Sequence, residues 1–258
     1  MMTRYEAWLN KKSLSAIDPA IYILDISYNA PIFVMTASDR PGRNGQMVTD
    51  RHAQSTSVTI TFEIHDQDIV RRQTICSRVQ AWAIQGGYLT TNDKRGQRLC
   101  VDCDGIPAID SALKWRNALR VTFTAYEQPF WEDENPRSTT IAGTNVSKTL
   151  YVPGFGAMTR VEVKARNTSG ETMNALTLKA GGTTFDFEGL ELEAGQTLEI
   201  GYDKHGLLAI SANGVSKMHC RTAESDDELM IETRKTSMMS IYAGGSISAV
   251  FEARGLYL

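Results

Sequence analysis

Ser57-Val58-Thr59-Ile60-Thr61-Phe62-Glu63-Ile64 alternates without a break. Val58, Ile60, Phe62 and Ile64 face one way, and Ser57, Thr59, Thr61 and Glu63 the other. That period of two is the mark of a strand with one face in a core. Just downstream the period changes. Ile69, Arg72, Cys76, Val79 and Ala83, joined by Ile75 and Trp82, recur at helical spacing. Asp66 or Asp68 can cap the start and Gly86-Gly87 can end it, so the spacing predicts a helix over 67–85. Residues 98–104 and 119–125 alternate like 57–64. The pattern predicts one helix laid across a sheet, with Arg71 and Arg78 on its solvated side.

Upstream, 5–9 and 21–28 read as strands, with Asn10-Lys11-Lys12 as a turn. Residues 36–46 are polar and contain Asn44-Gly45. This dipeptide favours the tip of a hairpin, because both central positions of a type I′ turn need positive φ. Val34 and Met47 to Thr49 supply the arms. Such a hairpin is either a solvated loop or an arm that grips a neighbouring subunit.

The chain has 258 residues, 42% of them hydrophobic and 22% charged. This composition excludes disordered, collagen-like and disulfide-scaffold classes. A net charge of -3 argues against non-specific binding to nucleic acid or to anionic membrane. The uncharged run 236–251 is rich in Ser and Gly and too polar for lipid, so no membrane insertion is expected. Charge at Arg4 and Glu6 precedes any apolar stretch, so no Sec leader is expected. The four cysteines are expected to be thiols in a reducing compartment.

Charge and aromatic content divide the chain. No Trp lies beyond Trp131; residues 1–131 carry 15 basic and 13 acidic groups, and 132–258 carry 12 and 17. The acidic, Pro-containing, Ser/Thr-rich stretch 132–145 reads as a linker between domains 1–131 and 146–258. Beyond it, short alternating segments, the last of them Ser246 to Glu252, and turns such as Gly181-Gly182 and Asn213-Gly214 recur every ~8–12 residues, as in a β-sandwich or jelly roll. The expected fold class is mainly β. It has an α+β N-terminal β-sandwich or split barrel with one packed helix, then a jelly-roll β-sandwich.

Catalytic chemistry is hard to place. Cys100-Val101-Asp102-Cys103 is a C-x-x-C on a strand, where positions three apart face opposite sides and cannot share a metal. A calcium loop starting at Asp102 needs Gly and Glu where Pro107 and Leu113 stand. His52, His65, His205 and His219 form no H-E-x-x-H, and neither G-x-S-x-G nor a P-loop is present. The carboxylates at 132–134 and 226–228 read as solvated loops. No catalytic, cofactor-binding or metal residue is assigned, and no enzyme activity is expected. An all-β second domain invites sugar binding, for which Tyr151, Phe155 and Tyr242, close to Gly or Pro, are the candidate glycan contacts.

The run Tyr5-Glu6-Ala7-Trp8-Leu9-Asn10-Lys11-Lys12-Ser13-Leu14 resembles the start of siphophage distal tail proteins, the Dit-like tail components. So do Ser57 to Phe62, the helix with Arg71-Arg72, and Trp82-Ala83-Ile84-Gln85-Gly86-Gly87-Tyr88-Leu89-Thr90-Thr91. Ala112 to Trp115, Thr122 to Tyr126 and Pro129-Phe130-Trp131-Glu132 complete the likeness, which covers about residues 3–135. It rests on the order and spacing of these segments. The second half is similar in kind to the galectin-like or carbohydrate-binding-module-like sandwich of longer family members.

The resemblance implies a structural role in the virion. The protein would be made in the host bacterial cytoplasm, from a phage or a prophage. Its N-terminal domains would form a homo-hexameric ring at the tip of a long non-contractile tail. That ring would join the major tail (tube) protein to the tail-associated lysin or hub protein. It would anchor receptor-binding or baseplate parts and surround a channel that DNA crosses without being read. Arg40, Arg43, Asn44 and Arg51 on the hairpin are the candidate subunit-interface residues. The alternative reading is a carbohydrate-binding adsorption module that recognises a host-surface glycan.

Overall fold

A computed structural model of the chain describes residues 5–39, 44, 46–107, 118–203 and 206–258. The fold divides into two units, Met1–Trp131 with Leu258 and Glu132–Tyr257.

The first unit contains β1 (Ala7–Leu9), β2 (Lys12–Ser13), β3 (Ile21–Tyr28), β4 (Ile32–Asp39), β5 (Gln46–Ile64), α1 (Ile69–Ala83), β6 (Gly87–Thr91), β7 (Gln97–Gly105) and β8 (Leu119–Ala125). Its antiparallel strands run in the order β2-β1-β6-β7-β8-β5-β3, with β4 paired to β5. The alternation at 57–64 becomes the second half of β5, held between β3 and β8 (Ile60↔Ile26 and Ile60↔Val121). Val58, Ile60, Phe62 and Ile64 are buried, as are Val121 and Phe123 beside them. Each such side chain contributes roughly 1.5–3 kcal/mol.

The predicted helix runs over Ile69–Ala83. Asp68 caps it by accepting from the Val70 N–H at 2.9 Å, which satisfies a donor the first turn leaves open. Ile75, Cys76, Val79 and Trp82 form its buried stripe. Trp82 meets Phe123 edge to face at 5.7 Å and donates to the Lys12 carbonyl at 3.0 Å. These contacts lay the helix across β8. Arg72 falls on the buried stripe because its Nη1 donates to the Asp66 carbonyl at 2.6 Å, neutralising a cost that burial would otherwise impose.

The second unit begins with β9 (Trp131–Asp133), which straddles the boundary, and continues with β10 (Arg137–Tyr151), β11 (Met158–Asn167), β12 (Met173–Ala180), β13 (Thr183–Leu192), β14 (Thr197–Tyr202), β15 (Leu208–Ala212), β16 (Val215–Ser216), β17 (Met230–Glu232), β18 (Thr236–Ala253) and β19 (Leu256–Tyr257). The order is β13-β12-β18-β11-β14-β15-β16, with β10 on β18 and β17 on β11. β18 has two partners in succession within this one sheet. Met239 to Ala243 pair with β12, and Ile247 to Ala253 pair with β11. β10 follows it throughout, with an irregularity between Gly143 and Asn145 opposite Gly244-Gly245. A bulge bends its strand, so this change of partner marks a corner of the curled sheet. Phe185, Phe187, Ile200, Ile241 and Phe251 fill the core behind it.

Two readings need correction. The stretch 132–145, expected as a linker, is strand at both ends, since β9 runs to Asp133 and β10 pairs with β18 from Arg137↔Ala253 onward. Its Ser and Thr residues read as loop, yet they suit a half-exposed strand carrying one buried residue, Ile141. The strand expected over 246–252 is the end of β18, which starts ten residues earlier. Gly244 and Gly245 mimic a turn in sequence but mark the corner instead.

Candidate functional site

Residues 46–55 of β5 pair with β4 alone; the flanking strands β3 and β8 take up β5 only from Thr56 onward. The result is a two-stranded ribbon about 25 Å long at ~3.4 Å per residue. β4 contains no buried residue. Its register places Phe33 opposite Ala53, Met35 opposite Arg51 and Ala37 opposite Val48, whereas Val34, Thr36 and Ser38 stand opposite His52, Asp50 and Met47. Cross-strand partners share a face. One face of the ribbon is therefore mostly apolar, with Phe33, Met35, Ala37, Ala53 and Val48, and includes the register position of Arg51. The other is mixed and carries a His52 Nδ1 to Asp50 Oδ2 contact of 2.8 Å. Near the tip, Gln46 Nε2 donates to Asp39 Oδ1 at 3.1 Å.

The apolar face is open. Phe33 is 39% exposed, and Met35 and Val48 are each 55% exposed. A lone two-stranded ribbon is marginal in water, and clustered apolar side chains on it favour a covered state. β3 ends the strand order of the same sheet and exposes Tyr22 and Leu24.

Of the four interface candidates, Asn44 is exposed beyond the end of β4 and Arg51 lies on the β5 arm opposite Met35. Arg40 and Arg43 lie outside the described residues. So do Gly45 of the predicted hairpin tip, His205, and the quoted segment ending in Trp115. Reading for charge missed Phe33, Met35 and Val48. The signal for them was the alternation Phe33/Met35/Ala37 against Val34/Thr36/Ser38.

The glycan candidates do not form one site. Tyr151 stands opposite Thr236 and Tyr242 opposite Asn145, six residues apart on β18 and so about 20 Å from each other. Tyr151 and Tyr242 are exposed, but Phe155, expected in the open, is half-buried with its N–H bonded to the Leu256 carbonyl. A cavity of about 620 Å³ lies at the sandwich corner, between residues 169–175 and Gly244-Gly245.

Cys100 and Cys103 are not joined in a disulfide, and burial pushes the Cys103 thiol up, away from the thiolate form that binds metals. Among the described residues, no group of three or more His, Cys, Asp or Glu is placed to hold a metal ion. No described helix is long and apolar enough to cross a membrane.

The mainly β chain, with a helix across the sheet of its first unit and a sandwich in its second, has the fold of a Dit-type phage tail-hub protein. Superposition on SPP1 Dit, a hub adsorption-apparatus protein of phages that infect Gram-positive bacteria, gives a TM-score of 0.69 at 12% identity. It covers 98% of this chain and 99% of that one. A chain of the phage P2 baseplate in its activated conformation with Ca gives 0.56 at 9% identity, covering 97% and 98%; the Sr form gives 0.54 at 10%, covering 96% and 97%. No protein-family model and no curated protein matches the sequence.

Proposed function

We propose that this chain is a structural component of a phage tail tip, in which six copies close into a ring through their first units. The observation that carries the reading is the β4–β5 ribbon, whose Phe33, Met35 and Val48 face solvent in the single chain. A ring closes when one surface of a subunit meets a different surface of the next. The ribbon's apolar face supplies the first surface, and the edge strand β3, with Tyr22 and Leu24, supplies the second. The near-complete overlap with hub and baseplate proteins supports the same setting.

On this reading the ring joins the tail tube to a hub or tail-associated lysin and gives receptor-binding or baseplate parts their anchorage. DNA passes through its lumen unread, and the virion tail tip is its location. The chain breaks no covalent bond, so cell-wall zymography shows no clearing. Negative-stain microscopy of the purified protein tests the proposal directly. Rings with a central hole are expected; a field of solitary particles overturns it.

A further inference from the structure

We propose that Lys148 is a latch on the open edge of β10, which keeps two copies of the chain from joining strand to strand through their second units. Among the described strands β10 pairs only with β18, so its other side is a sheet edge 15 residues long. The backbone phase of that edge follows from the strands behind it. Val161 and Asn167 donate their N–H groups to the carbonyls of Leu229 and Gln196, away from β18. The even-numbered residues between them, Lys164 included, therefore face β18, and Val250 opposite Lys164 directs its own N–H and C=O toward β11. Thr140, on the far side of Val250, is left with both groups pointing outward, as are Ser138 and Ala142. Beyond the bulge the Met238 carbonyl accepts from the Gly181 N–H, so Thr149, opposite Met238, points outward too, in phase with Asn145, Ser147 and Tyr151.

One of these outward groups has a partner among the described residues: the Thr140 carbonyl accepts from Lys148 Nζ at 2.7 Å. Eight residues of straight strand would hold the two roughly 27 Å apart. The irregularity between Gly143 and Asn145 bends β10, and the lysine spans the bend. An ammonium rooted on one arm of the strand thus stands on the middle of the other. The stretch it guards has no guard of its own. Ser138 to Ser147 contains no charged residue and no Pro, and its Thr, Ile and Val favour pairing. Such an edge takes up another extended strand, and in a solution of the protein the strand at hand is β10 of a second copy. Two arms laid antiparallel about Thr140 set Ser138, Thr140 and Ala142 against Ala142, Thr140 and Ser138, so outward groups meet outward groups. Lys148 opposes this pairing in two ways. It fills the central carbonyl, and it brings two ammonium groups to the axis of the pair, where β10 has no carboxylate to offer either. The latch lies wholly in the second unit and is independent of ring assembly.

Sedimentation velocity of the full chain across a wide concentration range tests the latch, with amide hydrogen exchange read over residues 138–142. Wild type and Lys148→Arg keep one mass throughout, whatever that mass is. Lys148→Ala is expected to gain a species of about twice the wild-type mass as concentration rises, with exchange over 138–142 slowed about tenfold. Lys148→Thr, a second way to remove the ammonium, behaves as Lys148→Ala does. Adding Thr140→Pro to Lys148→Ala restores the wild-type mass. Proline is tolerated where an edge N–H faces solvent, and it removes the central donor of the pair. Thermal melting of each variant confirms that the fold is intact. Lys148→Ala and Lys148→Thr chains with the wild-type mass and unslowed exchange overturn the proposal. So does an association that Thr140→Pro leaves in place.

Discussion

β5 and β18 are the two longest strands, 19 and 18 residues, and the chain uses them differently. β18 is covered along its length: β10 lies on one side, and β12 and then β11 on the other, with Met239, Ile241, Ile247 and Phe251 buried. β5 is covered only from Thr56 to Ile64. Its first ten residues have β4 as their strand partner, and that pair exposes Phe33, Met35, Met47 and Val48. Long strands stabilise a fold in proportion to the apolar surface their neighbours remove from water. The second unit closes its account internally. The first leaves a strand half covered, which is the surface the proposed ring would use.

Substitutions sharpen this contrast. Phe62→Ala in the covered half of β5, or Phe251→Ala in β18, removes a fully buried ring and lowers unfolding stability by about 3–5 kcal/mol in chemical denaturation. Tyr202→Phe deprives the buried Leu229 N–H of its acceptor, 3.1 Å away, and lowers the stability of the second unit by about 1–3 kcal/mol.

The same substitution changes the alkaline limb. Burial, the largest influence, raises the Tyr202 phenol from 10.0 to about 12. The unfolded chain releases this proton near pH 10 while the folded chain keeps it. The contribution is therefore intact below pH 10 and lost as pH rises toward 12. Melting of the Tyr202→Phe variant falls less steeply than wild type across that window. Tyr28, raised by burial and then by Asp93, still titrates in the first unit, so the slope is reduced and not abolished. Asp68→Ala costs about 1 kcal/mol by removing the cap of α1, measured by thermal melting. Val48→Ala, on the open half of β5, changes the stability of the isolated chain by no more than about 0.5 kcal/mol.

Where one side of an element is dry and the other wet, the sequence shows it. Val58/Ile60/Phe62/Ile64 and the α1 stripe were legible for that reason; the arms of the β4–β5 hairpin, which bury no residue of β4, were legible from the Asn44-Gly45 turn between them. β10 was opaque because it is mostly exposed: Arg137 to Thr140 carry no apolar contrast, and only pairing with β18 makes them a strand. Charge drew attention to Arg51 and passed over Met35, its cross-strand partner, and Phe33, because exposure of an apolar residue cannot be read from its type. The corner cleft joins residues 169–175 to Gly244-Gly245, more than sixty positions away.

Mass photometry of the wild-type chain beside a Phe33→Asp, Met35→Glu double variant asks whether the open ribbon is an assembly surface. Wild type is expected as a particle of about 172 kDa, six times the 28.6 kDa chain. The variant, with an unchanged melting temperature, is expected as single chains. A wild type of 28.6 kDa, or a variant that assembles as wild type does, contradicts the account.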